Sequence, residues 1–527
     1  MPSDVAAAPE GIGAPDRASR RDWIGLGVIA IASIIIGLDQ TALNVALPTL
    51  VRDLHPSSAG LQWIADGYTL TNAVLLLLGG ALGDRFGRRL MFLVGISVFG
   101  AGSLAGALVH TTAPLIAVRI AMGLGAALMM PGSLSIIAAT FPPTQRGHAI
   151  AVWAGVNGIG TAAGPVIGGV LLRHFWWGSI FLVNVPLVVV ATVVGTRVLQ
   201  ESRAEVRPRL DPVAVVLSAA GMALITYGAI EAPMRGWLSG TVLGTIGAGV
   251  VVLIAFGWWD MREDEPLLDL SLFRNRTFSG ALGAISAMFF ALFGVSYLMS
   301  QYLQFVQGND ALGVGVRFIP IASGTIAGSY FSTLLTKRFG LWPVLLGGMA
   351  TVTAGLALQL SSVTVTSSYL PLGIALGLVG LGLGMAIAPA SNAVLSTLPP
   401  AKLGAGSGLR SSIQLLGGSF GIAVIGSIAA TRYRSRVHAA FSGPLSGLPD
   451  VAKPYVHDQI GTASLVADHL PPGLAQVTRS VTGSAYVSGM HWAAATGVGV
   501  MIVAMAAAAR FHAVAIAPRE VSPPTPS

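Results

Sequence analysis

Apolar runs of about 20 residues recur along the whole chain, and each is long enough to cross a bilayer as a helix. We place fourteen of them, over 24–50, 60–82, 90–110, 113–138, 147–172, 178–198, 213–232, 239–259, 278–304, 312–336, 342–361, 368–391, 404–430 and 488–510. Lipid satisfies no open backbone, so a spanning segment is a helix or part of a closed barrel, and continuous runs of this length select the helix. Composition agrees. Only 10% of the 527 residues are charged, 53% are hydrophobic and the mean hydropathy is +0.74. A soluble domain carries about 25% charged residues. The apolar surplus therefore faces lipid, and the expected fold class is an all-α membrane protein. The first run has no small-residue cleavage site and reads as a span, not a removed signal peptide.

The loops orient the spans. Every second connection is rich in arginine (Arg85, Arg88, Arg89, Arg146, Arg197, Arg203, Arg274, Arg276), as are the tails, whereas the short loops between hold only Arg52, Arg173 and Arg235. The positive-inside asymmetry places both termini in the cytoplasm. The segment 431–487 breaks the pattern, and long loops obey the rule poorly; it is expected outside, with a short helix near 463–474. All ten tryptophans fall at or near span ends, where amphipathic rings anchor. Since the net charge of +8 follows topology, no nucleic-acid partner is expected. The expected organisation is a tail over 1–22, six spans over 23–200, two further spans over 201–275, six spans over 276–510 that include the long outer loop, and a tail over 511–527.

Ionisable groups within spans are costly and tend to be functional. Asp39 in span 1, Asp66 in span 2 and Arg119 in span 4 are such groups, with Glu231, Arg317 and Arg410 nearer span ends. At about 1.5 Å per residue the first three reach a similar depth in the outer half, roughly 10 Å below the surface. Two acids and one guanidinium at one level can pair, and a proton can take the cation's place, because removal from water disfavours a bare carboxylate. The competing reading is a fixed ion pair that locks spans 1, 2 and 4, with Asp66 hydrated near a mouth.

Glycine marks two further places. Residues 80–89 read G-A-L-G-D-R-F-G-R-R between spans 2 and 3. Gly83 and Gly87 permit a tight turn, Asp84 is placed to cap a helix, and Arg85 and Arg88 enforce topology. Residues 160–169 read G-T-A-A-G-P-V-I-G-G. Gly160, Gly164 and Gly168 let another helix approach, and Pro165 bends the span; this is either close packing or a pivot.

With 38–48 (L-D-Q-T-A-L-N-V-A-L-P), 115–127 around Arg119 and Gly123, 181–186 (F-L-V-N-V-P) and 404–421, these motifs resemble the major facilitator superfamily in its fourteen-helix drug:proton antiporter branch. The resemblance covers nearly the whole chain. Met122 stands where Gln is usual and Gln414 where Arg is usual, with Arg410 one turn earlier. The resemblance implies two six-helix bundles joined by two additional helices, and export of amphipathic compounds in exchange for protons. Asp39 and Asp66 match acids tied to proton coupling and cationic drugs. The residues 403–430 hold no acid, which weakens an expectation of dicationic cargo.

Asn44, Tyr68, Asn157, Phe290, Tyr297 and Gln301 are candidates for lining a cavity, against the alternative of interhelical packing. No Gly-Lys-Ser/Thr phosphate loop and no cysteine occur, and the histidines lie in loops or near span ends. ATP is therefore not the direct energy source, and neither cofactor nor metal is expected. Expected partners are amphipathic small molecules, protons and membrane lipids, with the monomer as the working unit. A dedicated exporter or flippase for an endogenous lipid, siderophore or antibiotic fits the same motifs. An integral-membrane enzyme needs a polar His and Asp cluster that the sequence does not offer.

Overall fold

The computed structural model describes residues 17–203, 211–263, 266, 270–397 and 403–516, and no strand occurs among them. The first bundle comprises α1 (Arg20–Leu54), α2 (Ser58–Phe86), α3 (Arg88–Leu108), α4 (Thr112–Thr140), α5 (Pro143–His174), α6 (Ser179–Leu182) and α7 (Asn184–Val198). A helical hairpin follows, α8 (Pro212–Arg235) and α9 (Gly240–Asp260). The second bundle comprises α10 (Arg276–Gln301), α11 (Ala311–Arg317), α12 (Ile319–Phe339), α13 (Leu341–Ser362), α14 (Tyr369–Ser396), α15 (Leu403–Ala440), α16 (Lys453–Asp458), α17 (Ile460–Asp468) and α18 (Pro472–Ile516).

Among the described residues twelve helices are long and apolar enough to cross a membrane, and α2, bent by 52° between Leu76 and Leu78, makes a thirteenth. The remaining expected span is α5, which runs for 32 residues but is diluted by glycine and polar residues. Span 6 is interrupted at Val183, and span 10 at Phe318 ahead of Pro320, which cannot donate a helical bond.

The two bundles repeat one packing pattern. α1 packs on α5 as α10 packs on α15; α2 and α3 pack on α4 as α12 and α13 pack on α14. The hairpin α8–α9 lies outside both and touches α2 and α15 through α8. Between the bundles, α2 lies along α15, and α5 along α11. We call the end where α1 begins the terminal end and the opposite end the distal end. At the terminal end the Ser19 hydroxyl and Asp22 form a capping box on α1, and Arg21 Nε donates to the Val198 carbonyl at 3.0 Å.

The expected long loop over 431–487 is mostly helix. α15 continues to Ala440, α18 already begins at Pro472, and the helix expected near 463–474 is α17. Val437, Leu445, Leu448, Val456 and Ile460 are buried and join the main apolar core. Arg432, Arg434 and Arg436 just before Val437, and the Gly, Pro, Ser and Asp residues of the turns that follow, lower the local hydropathy and hide the helices from a search for spans.

Candidate functional site

Arg119 and Asp39 are brought together. Arg119 Nη1 donates to Asp39 Oδ2 at 2.5 Å, and its Nε donates to the Ile64 carbonyl at 3.2 Å. The guanidinium lies over the Tyr68 ring, 4.5 Å from its centroid. Tyr68 is itself buried and packs edge-on against Phe99. The charge of Arg119 is thus balanced by a carboxylate, a carbonyl and an aromatic face, as a buried cation requires.

Asp66 does not join them. It is fully buried on α2, and neither carboxylate oxygen has a hydrogen-bond partner. Ser419 of α15 presents its hydroxyl to it, and that hydroxyl too lacks a regular hydrogen bond. Equal depth therefore did not mean a shared partner: the direction in which each side chain leaves its helix decides that, and Asp66 points across the bundle interface.

Several cavity candidates sit on the same interface. The Ser300 hydroxyl bonds the Asn44 carbonyl, and Gln304 Nε2 donates to the Val45 carbonyl at 2.8 Å. A π-helical turn over Tyr302–Val306 carries Gln304 inward. Tyr297 and Gln301 line a cleft shared with Gln62, Tyr433, Asp458 and Tyr486. Phe290 is half-buried and its main chain abuts Gly421 of α15. The side chain of Asn157 lies outside the described residues.

Farther out, Arg434 pairs with Asp458, and its Nη2 donates to Ser58 Oγ at 3.0 Å. Gln459 Nε2 donates to the Pro56 carbonyl at 2.6 Å. The sequence reading missed these residues, since a polar segment outside the spans offers no signal for long-range pairing. The polar contacts between bundles with described residues on both sides all lie in the distal half.

The glycine motifs resolve into distinct jobs. On α5, a Cβ at Gly160 stands 2.8 Å from Ile34 Cα, one at Gly168 stands 3.1 Å from Ala42 Cβ, and one at Gly164 collides with Thr41. The stripe seats α5 on α1, where Thr41 Oγ1 donates to the Thr161 carbonyl at 2.9 Å. Next to it, the Pro165 carbonyl abuts Gly315 of α11, a contact between bundles. In the 80–89 turn, Asp84 does not cap α3; it bonds Arg88 Nε at 2.9 Å from the last turn of α2. Glu201 caps α3 instead, accepting from the Arg89 and Leu90 amides at 3.1 and 3.2 Å. Gly87 has φ +124°, and a Cβ there stands 2.6 Å from the Glu201 carboxylate. Gly83 is buried in the same turn, and Arg85 is exposed over Phe86. Arg410 donates to Ser391 Oγ at 2.8 Å and ties α15 to α14.

Known proteins resemble this chain in sequence and in fold. The chain is 34% identical over 492 residues to the tetracenomycin C resistance and export protein of Streptomyces glaucescens, covering 93% of this chain and 91% of that one. It is 32% identical over 507 residues to the multidrug efflux pump LfrA of Mycolicibacterium smegmatis, covering 95% and 97%. The fold matches a bacterial homologue of the human lysosomal transporter Spinster, solved in an inward-facing, unoccupied conformation, with a TM-score of 0.62 at 15% identity over 94% of this chain and 98% of that one. The family model described as Major Facilitator Superfamily matches residues 29–422. With that match on a multi-pass helical membrane protein built of two like-packed bundles, the chain belongs to the Major Facilitator Superfamily of transporters.

Proposed function

We propose that this chain exports amphipathic compounds, lipophilic cations among them, in exchange for protons, by alternating access across a bacterial cytoplasmic membrane with both termini inside. The observation that carries the reading is Asp66, a buried acid at the bundle interface with no partner for either oxygen. An unpartnered carboxylate out of water is costly in its charged form, and a proton removes that cost. Asp39, by contrast, already has its cation in Arg119. The sealed pair and the lone acid divide the work: one holds α1 to α4, the other exchanges the proton.

The arginine asymmetry supports the orientation, and on it the distal end is the outer one. The bundles are then clasped on the outside, an inward-facing arrangement. Proton entry supplies about 2.3 kcal/mol per 100 mV and about 1.4 kcal/mol per pH unit. Together these sustain a gradient of a neutral cargo of roughly several hundred-fold per proton; for a monovalent cation in one-for-one exchange the potential cancels and one pH unit sustains about tenfold. The relatives named for multidrug efflux and for antibiotic resistance and export support a drug-like cargo. The Streptomyces relative, named for a single antibiotic, favours a second reading, a dedicated exporter of one natural product.

The test is efflux of a fluorescent lipophilic cation from cells that express the chain, with and without a protonophore. Collapse of efflux on uncoupling is expected. Efflux that ignores the uncoupler removes proton antiport, and absence of cation efflux beside export of one natural product selects the second reading.

A further inference from the structure

Among the described residues, Arg410 is a cation within a span that no carboxylate answers. It stands about two turns, roughly 10 Å, in from the terminal end of α15. Its Nε donates to Ser391 Oγ of α14 at 2.8 Å, and the Ser391 hydroxyl in turn donates to the Ile387 carbonyl at 2.7 Å. That oxygen meets one N–H of the guanidinium fork and leaves the others to spare. They have no acceptor among the described residues, and the side chain is only half-buried. No span of the second bundle can supply a counter-ion: 276–309, 311–449 and 472–516 hold no aspartate or glutamate. Elsewhere Asp39 is taken by Arg119, Asp84 by Arg88, Glu231 by Arg235 and Glu201 by the α3 amides. Asp66 faces Ser419, about 13 Å farther along α15.

The surroundings suit an amphipathic molecule. α14 and α15 both pack on α10, and Arg410 joins them. Ile387 and Ile413, one turn from Ser391 and Arg410, are partly buried against the apolar core of this bundle. Gln414 stands one turn on along the same side of α15 and is half-buried, and Asn392 beside Ser391 is exposed; both carry amide donors. Because the polar contacts between bundles lie in the distal half, this terminal half of α15 is the part that an inward-facing arrangement leaves open.

We infer that Arg410 anchors an acidic group of the cargo, with Gln414 as a second donor, so that amphipathic carboxylates and phenolates are exported as well as cations. The inference rests on the export reading and adds a cargo class to it. A guanidinium fork matches a carboxylate with two parallel charge-assisted bonds, and a buried cation lacking its own anion gains most from one that arrives with the ligand. The phosphate of an anionic lipid offers the same chemistry, and the test separates the two sources.

The purified chain in phosphatidylcholine nanodiscs is titrated with pyrenebutyrate, an amphipathic carboxylate, and with ethidium, an amphipathic cation, against empty nanodiscs as the blank. Arg410→Gln is expected to weaken pyrenebutyrate by at least about tenfold, as loss of a hydrogen bond to a charged group does, and to tighten ethidium by removing a like charge. Gln414→Glu sets a carboxylate one turn from Arg410 and is expected to weaken pyrenebutyrate to a similar extent while the guanidinium stays in place. No binding of pyrenebutyrate by the parent, or an equal effect of Arg410→Gln on both ligands, overturns the inference. Should that variant fail to fold, unchanged pyrenebutyrate binding with Gln414→Glu overturns it. The gap between parent and Arg410→Gln is expected to persist when phosphatidylglycerol is included; a gap that closes gives the guanidinium to a lipid phosphate and overturns the cargo assignment. Binding is read without a proton gradient. Failure of these shifts therefore removes the acidic cargo and leaves antiport standing, whereas cation efflux that ignores an uncoupler removes antiport and leaves the anion site.

Discussion

Arg119 and Asp39 hold each other at 2.5 Å with side chains only 1% and 3% exposed, sealed from both water and lipid. A pair so enclosed is a structural joint between α4 and α1 before it is anything else. Breaking one side of a buried ion pair leaves an uncompensated charge, which costs more than removing both.

Asp39→Asn is therefore expected to lower stability by about 3–5 kcal/mol and to abolish uphill efflux. Thermal unfolding of the purified protein and drug accumulation in cells measure the two effects. Asp39→Asn combined with Arg119→Gln should recover much of the stability and, with it, efflux, as a mechanical joint requires. A double variant that is stable but does not transport gives the pair a part in coupling beyond holding α1 to α4.

The contact of α5 with α1 depends on the missing side chain at position 164. Gly164→Ala forces α5 away from Thr41 and is expected to cost about 1–3 kcal/mol and to depress efflux. Gly244→Ala on α9 meets nothing within 4 Å and serves as the comparison. Equal melting temperatures for the two variants contradict the close-packing account.

At the 80–89 turn, removal of the cap from α3 by Glu201→Ala is expected to cost about 1 kcal/mol. Asp84→Asn, in a pair whose side chains are 36% and 23% exposed, should cost less. Gly87→Ala combines a left-handed backbone with a collision against Glu201 and should be the most damaging of the three. Yield and melting temperature rank them, and a larger loss from Asp84→Asn than from Glu201→Ala reverses the assignment of the cap.

On the distal surface, burial holds the His457 imidazole below its ordinary value of 6.5, aided by Arg434 and His438 and opposed by Asp458. The folded protein thus prefers the neutral ring, and the unfolded chain takes up the proton first as the medium acidifies. The stability this group contributes is complete above about pH 6.5 and declines as pH falls below it. Melting temperatures from pH 8 to about 5 should fall further for the parent than for His457→Gln. Parallel curves discount His457 as the source.

The sequence by itself determined the class of fold and the depth of the charged groups. A run of apolar residues has one stable form in lipid, and position along a helix converts directly to depth at about 1.5 Å per residue. So Asp39, Asp66 and Arg119 were visible as an outer-half set from spacing alone. Only the tertiary structure decided that Arg119 takes Asp39 and leaves Asp66 to face Ser419, because the partner depends on which way each side chain points and which helix lies there. The same holds for Glu201 reaching across more than a hundred residues to cap α3, and for Arg434 and Asp458 closing on Ser58. Such contacts join segments far apart in sequence, and no local pattern of hydropathy or charge encodes their meeting; packing of the two bundles does.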